Sequence, residues 1–222
     1  MLLRRAQALA QHFLERIHRH LWQIRPRKRR ETLERNLVLL HDALEKSGLA
    51  GRYWVWGGML LGWAREGRLL RNDTDADLAV WRKDIQHFRE SVALLEAVGF
   101  RLNRAFVNNH GDLTEYVFLR NYMKFEFFVV DDGEDGPRYW LYYPPIKLEM
   151  MGSIPAVTLA PMRLLDRTWL KPADHEAHLT RVYGDWRTPR SDYWYVRDER
   201  SIVSRHHWTG RLLWAPRGAE IR

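Results

Sequence analysis

The sequence predicts an α+β fold: a small mixed sheet with helices on one side. Three observations carry this. Segments with apolar residues at steps of three and four alternate with short β-like runs as far as Gly99. Three β-like runs then follow in succession, over 100–107, 113–120 and 123–130. A chain of 222 residues, 45% hydrophobic and 13% aromatic, is long and apolar enough to bury a sizeable core.

The elements follow in order. Leu2, Ala6, Leu9, Phe13, Ile17 and Leu21 mark a first helix over 2–22, decorated by Arg4, Arg5, Arg16 and Arg19. Pro26 is expected to stop it, with Arg25–Arg30 as a basic link. Leu33, Leu37, Leu40 and Leu44 place a second helix over 31–47, closed by Gly48. Tyr53–Trp56 is a short buried strand. Gly57-Gly58 turns the chain into a helix reaching Arg65 or Glu66. A loop over 67–74 precedes a strand over Asp75–Trp81 and a helix over Ile85–Val98. Asn108–Gly111 and Asn121-Tyr122 are turns between the three later runs, and Asp131–Gly136 is an acidic loop. Arg138–Tyr143 forms another strand. The last third reads as irregular, with a short helix over Asp174–Tyr183.

Charge divides the chain into an extension, 1–30, and a main domain, 31–222. Residues 1–30 carry nine Lys/Arg and one acid, Glu15, whereas the remainder balances 27 of each sign. The main body therefore lacks the spread positive face of a nucleic-acid enzyme, and no nucleic-acid partner is expected. The first helix leaves two readings open. It lies on an anionic membrane surface as a peripheral contact, or it packs on the domain and solvates its other face. The absence of cysteine excludes zinc-thiolate sites and a cysteine nucleophile, and suits a reducing, cytoplasmic setting. No apolar run approaches the ~18 residues of a spanning helix. The expected location is therefore cytoplasmic, at the inner membrane face if residues 1–30 bind there.

The chemistry concentrates in two places. Asp73, Asp75 and Asp77 alternate at the mouth of a strand, so the side chains of Asp75 and Asp77 share a face. Like charges that close stay ionised most easily around a cation, and an all-oxygen donor set favours Mg²⁺ or Mn²⁺. Glu126, in the apolar run Lys124–Phe128, supplies a third carboxylate from another strand. A metal or a basic partner would account for it, as would a solvent-facing position beside Lys124. Gly57-Gly58 lets backbone approach a ligand at a helix N-terminus, and Arg65, about two turns on, is a candidate phosphate fork. An EF-hand loop counted from Asp73 fails, because Leu78 and Asp84 stand where Gly and Glu are required. An isolated Asp-x-Asp glycosyltransferase motif remains a rival. The histidines form no metal-ligand pattern. Tyr and Trp after residue 138 suit either sugar stacking or a core.

At these residues the chain resembles the LicD/fukutin family of nucleotidyltransferase-fold phosphotransferases. The resemblance rests on four blocks in order: Gly57–Arg65, Gly67–Asp77, Phe125–Phe127 and Tyr183-Gly-Asp-Trp-Arg-Thr-Pro189. It implies a nucleotidyltransferase-like sheet. It also implies metal-dependent transfer of a phosphocholine or phospho-alditol group from a CDP-linked donor to a sugar of a glycan, as in cell-surface polysaccharide or lipopolysaccharide modification. Asp75, Asp77 and Glu126 then fall on the metal-binding and catalytic carboxylates. Gly57, Gly58, Arg65 and Asp73 fall on the substrate side, and Tyr183–Trp186 on the acceptor side. Glu126 departs from the family's usual Asp, Asn72 from its Trp, and Thr74 from a frequent acid. A nucleotidyltransferase acting on a small molecule and a non-catalytic, membrane-recruited relative are the alternatives.

Overall fold

The protein is described by a computed structural model over residues 2–134 and 136–216. Two helices open the chain, α1 (Leu2–Gln23) and α2 (Pro26–Leu44). Strand β1 (Tyr53–Val55) leads into α3 (Gly57–Glu66), followed by β2 (Asp75–Trp81) and α4 (Ile85–Ala97). Five strands come next: β3 (Arg101–Val107), β4 (Leu113–Arg120), β5 (Met123–Gly133), β6 (Gly136–Tyr143) and β7 (Leu148–Ser153). The hairpin β8 (Leu159–Leu164) and β9 (Arg167–Pro172) precedes α5 (His175–Tyr183). A short α6 (Tyr195–Asp198), β10 (Ile202–His207) and β11 (Arg211–Trp214) complete the described chain.

The fold is α+β, as the sequence predicts. The main sheet runs β10-β7-β6-β5-β4-β3-β11, and β2, carrying β1 on its other edge, joins it beside β5. The β2–β5 pairing is parallel, while its neighbours are antiparallel. Strand β5 is the hinge of the arrangement. Residues Lys124–Val130 pair with β2 on one side while Met123–Phe128 pair with β4 on the other, and Asp131–Gly133 then pair with β6.

Alternation along these strands separates two faces. Ala76, Leu78 and Val80 of β2 join Phe125, Phe127 and Val129 of β5 in one buried cluster. It is closed by Leu33, Leu37 and Leu40 of α2, Leu60 of α3, and Phe88 and Leu95 of α4. Each large apolar side chain buried there contributes ~1.5–3 kcal/mol. The opposite face of the same strands carries Asp75, Asp77, Lys124 and Glu126, in the registers Asp75↔Lys124 and Asp77↔Glu126.

Three expectations are corrected. Pro26 does not follow a break into a linker but opens α2, so most of the basic link is helical; Pro suits the first helical position, where its missing N–H is not needed. The acidic loop shrinks, because Asp131–Gly133 extend β5, and Arg82 grips Asp131 at 2.6 and 3.2 Å; Asp135 lies outside the described residues. The last third is not irregular, since it supplies β7 to β11. Pro161 and Pro172 in the β8–β9 hairpin, and the polar edge strand β10, hid these strands from a reading based on alternation.

Candidate active site

The site is assembled by backbone pairing. β1 runs antiparallel to β2 with Val55 opposite Leu78, and the ladder continues as the Trp56 N–H donates to the Asp77 carbonyl at 2.9 Å. Trp56 is extended and caps α3 without a side-chain hydrogen bond. Gly57 then takes φ +53 to swing the chain into α3 directly beside Asp77. A Cβ on Gly57 would overlap the Asp77 carboxylate, and a Cβ on Gly58 would lie 3.3 Å from Asp73 Oδ1. Asp73 and Asp77 therefore flank the start of α3, whose N-terminal amides carry partial positive charge.

The third strand position is met. Glu126 lies beside Asp77 across the parallel pair, with its side chain nearly buried. Its partner is Lys124, whose Nζ lies 2.5 Å from Glu126 Oε2 and 3.1 Å from Asp75 Oδ2. Burial alone would lower the Lys124 pKa, but Glu126 and Asp75 hold its ammonium well above the usual lysine range. A basic partner thus accounts for the acid in this apolar strand, and the solvent-facing alternative fails.

The remaining carboxylates are under electrostatic pressure. Burial, followed by the charge of Asp75, pushes Asp73 up to about 7. Burial also raises Asp77 well above the usual carboxylate range, reinforced by Asp75 and Glu126 and opposed by Lys124. Glu115 of β4 was not singled out from the sequence. It is buried, hydrogen-bonds Glu126, and is pushed up to about 8 by burial and then by the Glu126 charge. Its place was encoded: a two-residue turn at Asn121-Tyr122, both at positive φ, fixes Arg120 opposite Met123 and so Glu115 diagonal to Glu126.

Helix α1 contributes as well. Glu15 is buried and held by Arg19 at 2.5 Å and His12 at 3.4 Å. Arg19 lies within electrostatic reach of Asp75 and Glu126, and Glu15 of Lys124. From α2, buried Arg29 donates to the Arg71 carbonyl at 2.6 Å, bracing the loop that carries Asp73.

Arg65 is engaged elsewhere. Its guanidinium donates to the carbonyl of Trp186, and to that of Thr188 at 3.2 Å. It fastens the Tyr183–Pro189 block to α3. Within that block Gly184 ends α5 at φ 73, and Trp186 is buried in the main core. Tyr183 lies close enough to Asp73 and Asp77 to feel their charge. Trp140, Trp169 and Trp208 are also core residues, whereas Trp194 is 44% exposed.

Among the described residues no group of three or more His, Cys, Asp or Glu side chains is already closed around a point suited to a metal ion. The donor chemistry nevertheless fits a hard divalent cation. Asp73, Asp75, Asp77 and Glu126 are all oxygen donors, mutually repelling, and Asp77 abuts a glycine that leaves room for no side chain. Lys124 already neutralises part of that charge.

Comparison with known proteins gives two similarities. Residues 51–149 match the LicD/FKTN/FKRP nucleotidyltransferase domain. They span β1, α3, β2 and β5, and so Gly57, Gly58, Asp73, Asp75, Asp77 and Glu126. The chain is also similar to an uncharacterized protein, RT0683, of Rickettsia typhi (strain ATCC VR-144 / Wilmington), at 24% identity over 149 residues. That alignment covers 66% of this chain and 43% of the relative, so the chain spans under half of that protein's length. Over residues 51–149, a little under half of its length, the chain is therefore similar to the LicD/FKTN/FKRP nucleotidyltransferase domain.

Proposed function

We propose that the chain is a metal-dependent phosphotransferase. It moves a phospho-substituent of the phosphocholine or phospho-alditol kind from a CDP-linked donor to a sugar hydroxyl of a glycan. The observation that carries this reading is the placement of Asp73 and Asp77 against Gly58 and Gly57, with Glu126 in register with Asp77.

Asp75, Asp77 and Glu126 would hold Mg²⁺ or Mn²⁺, which when bound screens the diphosphate oxygens and the charge that develops as the phosphorus–oxygen bond breaks. The backbone at Gly57 and Gly58 approaches the donor closely, and the α3 amides favour its anionic group. Lys124 keeps the Glu126 carboxylate oriented across the strand pair. The acceptor hydroxyl oxygen forms the new bond to phosphorus, its proton passes to Glu126, and CMP leaves with the electron pair of the broken bond. Arg65 acts at one remove, positioning the Tyr183–Pro189 block beside the site.

The test is product analysis with magnesium, using CDP-choline and CDP-alditol donors in one arm and CTP in the other. The proposal expects CMP release that needs both donor and divalent ion. Pyrophosphate from CTP, with a nucleotide left on the acceptor, would replace it with the nucleotidyltransferase reading.

A further inference from the structure

Helix α1 packs with the reverse of the usual polarity. A helix on a globular domain normally turns its apolar stripe inward. Here the inward face is mostly polar, with Ala8 buried and Trp22 packed on the main core as its apolar contacts. The Ala8 carbonyl accepts from Asn103 Nδ2 at 2.9 Å, His12 Nδ1 lies 3.2 Å from Arg104, and the His18 ring stacks on Tyr122 at 3.9 Å. Glu15, on the same face, is 2% exposed. The apolar stripe faces out instead: Leu3, Leu9, Phe13, Ile17 and Leu21 are all exposed, Phe13 at 64%, and Ile24 just beyond the helix is 73% exposed. At 1.5 Å per residue the helix is about 33 Å long.

The charge around that stripe is one-sided. At the elbow beside Ile24, Arg25, Arg27, Lys28 and Arg35 line one concavity together with Pro26 and Glu31. Arg16 is exposed on α1. The balanced charge of residues 31–222 means that residues 1–30 alone give the chain its positive sign. An apolar ridge with a cationic end is complementary to a surface that is apolar beneath a negatively charged layer.

We propose that α1 docks on an anionic lipid surface through Leu3, Leu9, Phe13, Ile17, Leu21 and Ile24, with the Arg25–Arg35 elbow against the headgroups. The inner face of the same helix reaches the carboxylate site through Glu15 and Arg19, so docking holds that site close to the lipid.

The test is vesicle flotation of the full chain, with phosphatidylcholine alone and with phosphatidylcholine–phosphatidylglycerol mixtures. It needs no turnover, so it succeeds or fails independently of the catalytic reading. Binding is expected only to the anionic vesicles and should weaken as salt rises. The double variant Phe13→Glu/Ile17→Glu, both outward-facing, should lower partitioning ~10-fold or more while melting temperature and circular dichroism stay as in the parent. In a Phe13→Trp variant, the added tryptophan's emission should shift to the blue on anionic vesicles. No binding to anionic vesicles would overturn the proposal, as would binding that Phe13→Glu/Ile17→Glu leaves intact. A dimer that this variant dissociates, with no lipid binding in the parent, would assign the stripe to a second copy of the chain.

Discussion

Asp77 occupies the space that a side chain on Gly57 would need. They are brought together by the hydrogen bond from the N–H of the preceding Trp56 to the Asp77 carbonyl, which sets the end of β1 and the start of α3 against the carboxylate. Gly57→Ala should therefore fail twice: its φ of +53 disfavours a Cβ, and the added methyl displaces Asp77. A stability loss of about 1–2 kcal/mol in denaturant melts is expected. Turnover should fall by more than that loss explains, since the carboxylate itself moves. Gly58→Ala should be milder, because its nearest neighbour, Asp73, stands at 3.3 Å and φ is not positive.

Asp77→Asn separates charge from shape. Burial and the charges of Asp75 and Glu126 disfavour the Asp77 carboxylate in the folded chain. In chelator the variant should melt at or above the parent temperature, yet turnover should drop at least ~100-fold. Asp75→Asn should lose activity similarly, without a gain in melting temperature, because Asp75 already has Lys124 at 3.1 Å.

Lys124→Met leaves Glu126 and Asp75 without their cation and should cost about 3–5 kcal/mol by chemical denaturation. The double variant Lys124→Met/Glu126→Leu should regain much of that stability while remaining inactive, because it removes the buried charge along with its partner.

His178 gives the pH dependence. Burial holds it at about 4, against an ordinary 6.5, with its ring edge-on to Trp56 at 4.8 Å and Nδ1 without a hydrogen-bond partner. Between pH 6.5 and 4 the unfolded chain binds a proton that the folded chain refuses. This contribution to stability is therefore complete above pH 6.5 and declines as the pH falls toward 4, by at most ~1.4 kcal/mol per unit. His178→Leu should flatten that slope in melts run across pH 4–7.

The β2 and β5 strands and the α3 turn were legible because their signals are local: a glycine pair before an apolar helix, aspartates at period two, and one acid in an apolar strand. Glu126 could be paired with the aspartates from sequence only as an expectation, since the parallel β2–β5 register depends on α4 and the β3–β4 hairpin between them. Arg65 shows the limit in the other direction. Its spacing from Gly57 suggested a phosphate contact, but its partners are the main-chain carbonyls of Trp186 and Thr188, more than a hundred residues away. The orientation of α1 was equally out of reach. Periodicity defines an apolar stripe, whereas long-range contacts such as those with Asn103, Arg104, Tyr122 and Trp214 decide which way it faces. The late strands were missed because proline and an edge position mask alternation.

Manganese binding followed by electron paramagnetic resonance tests the central claim most directly, because free and protein-held Mn²⁺ give different signals. One site per chain is expected in the parent, lost in Asp77→Asn and competed by Mg²⁺. An absence of bound manganese, or a site that Asp77→Asn leaves unchanged, would contradict the assignment of Asp75, Asp77 and Glu126 as its ligands.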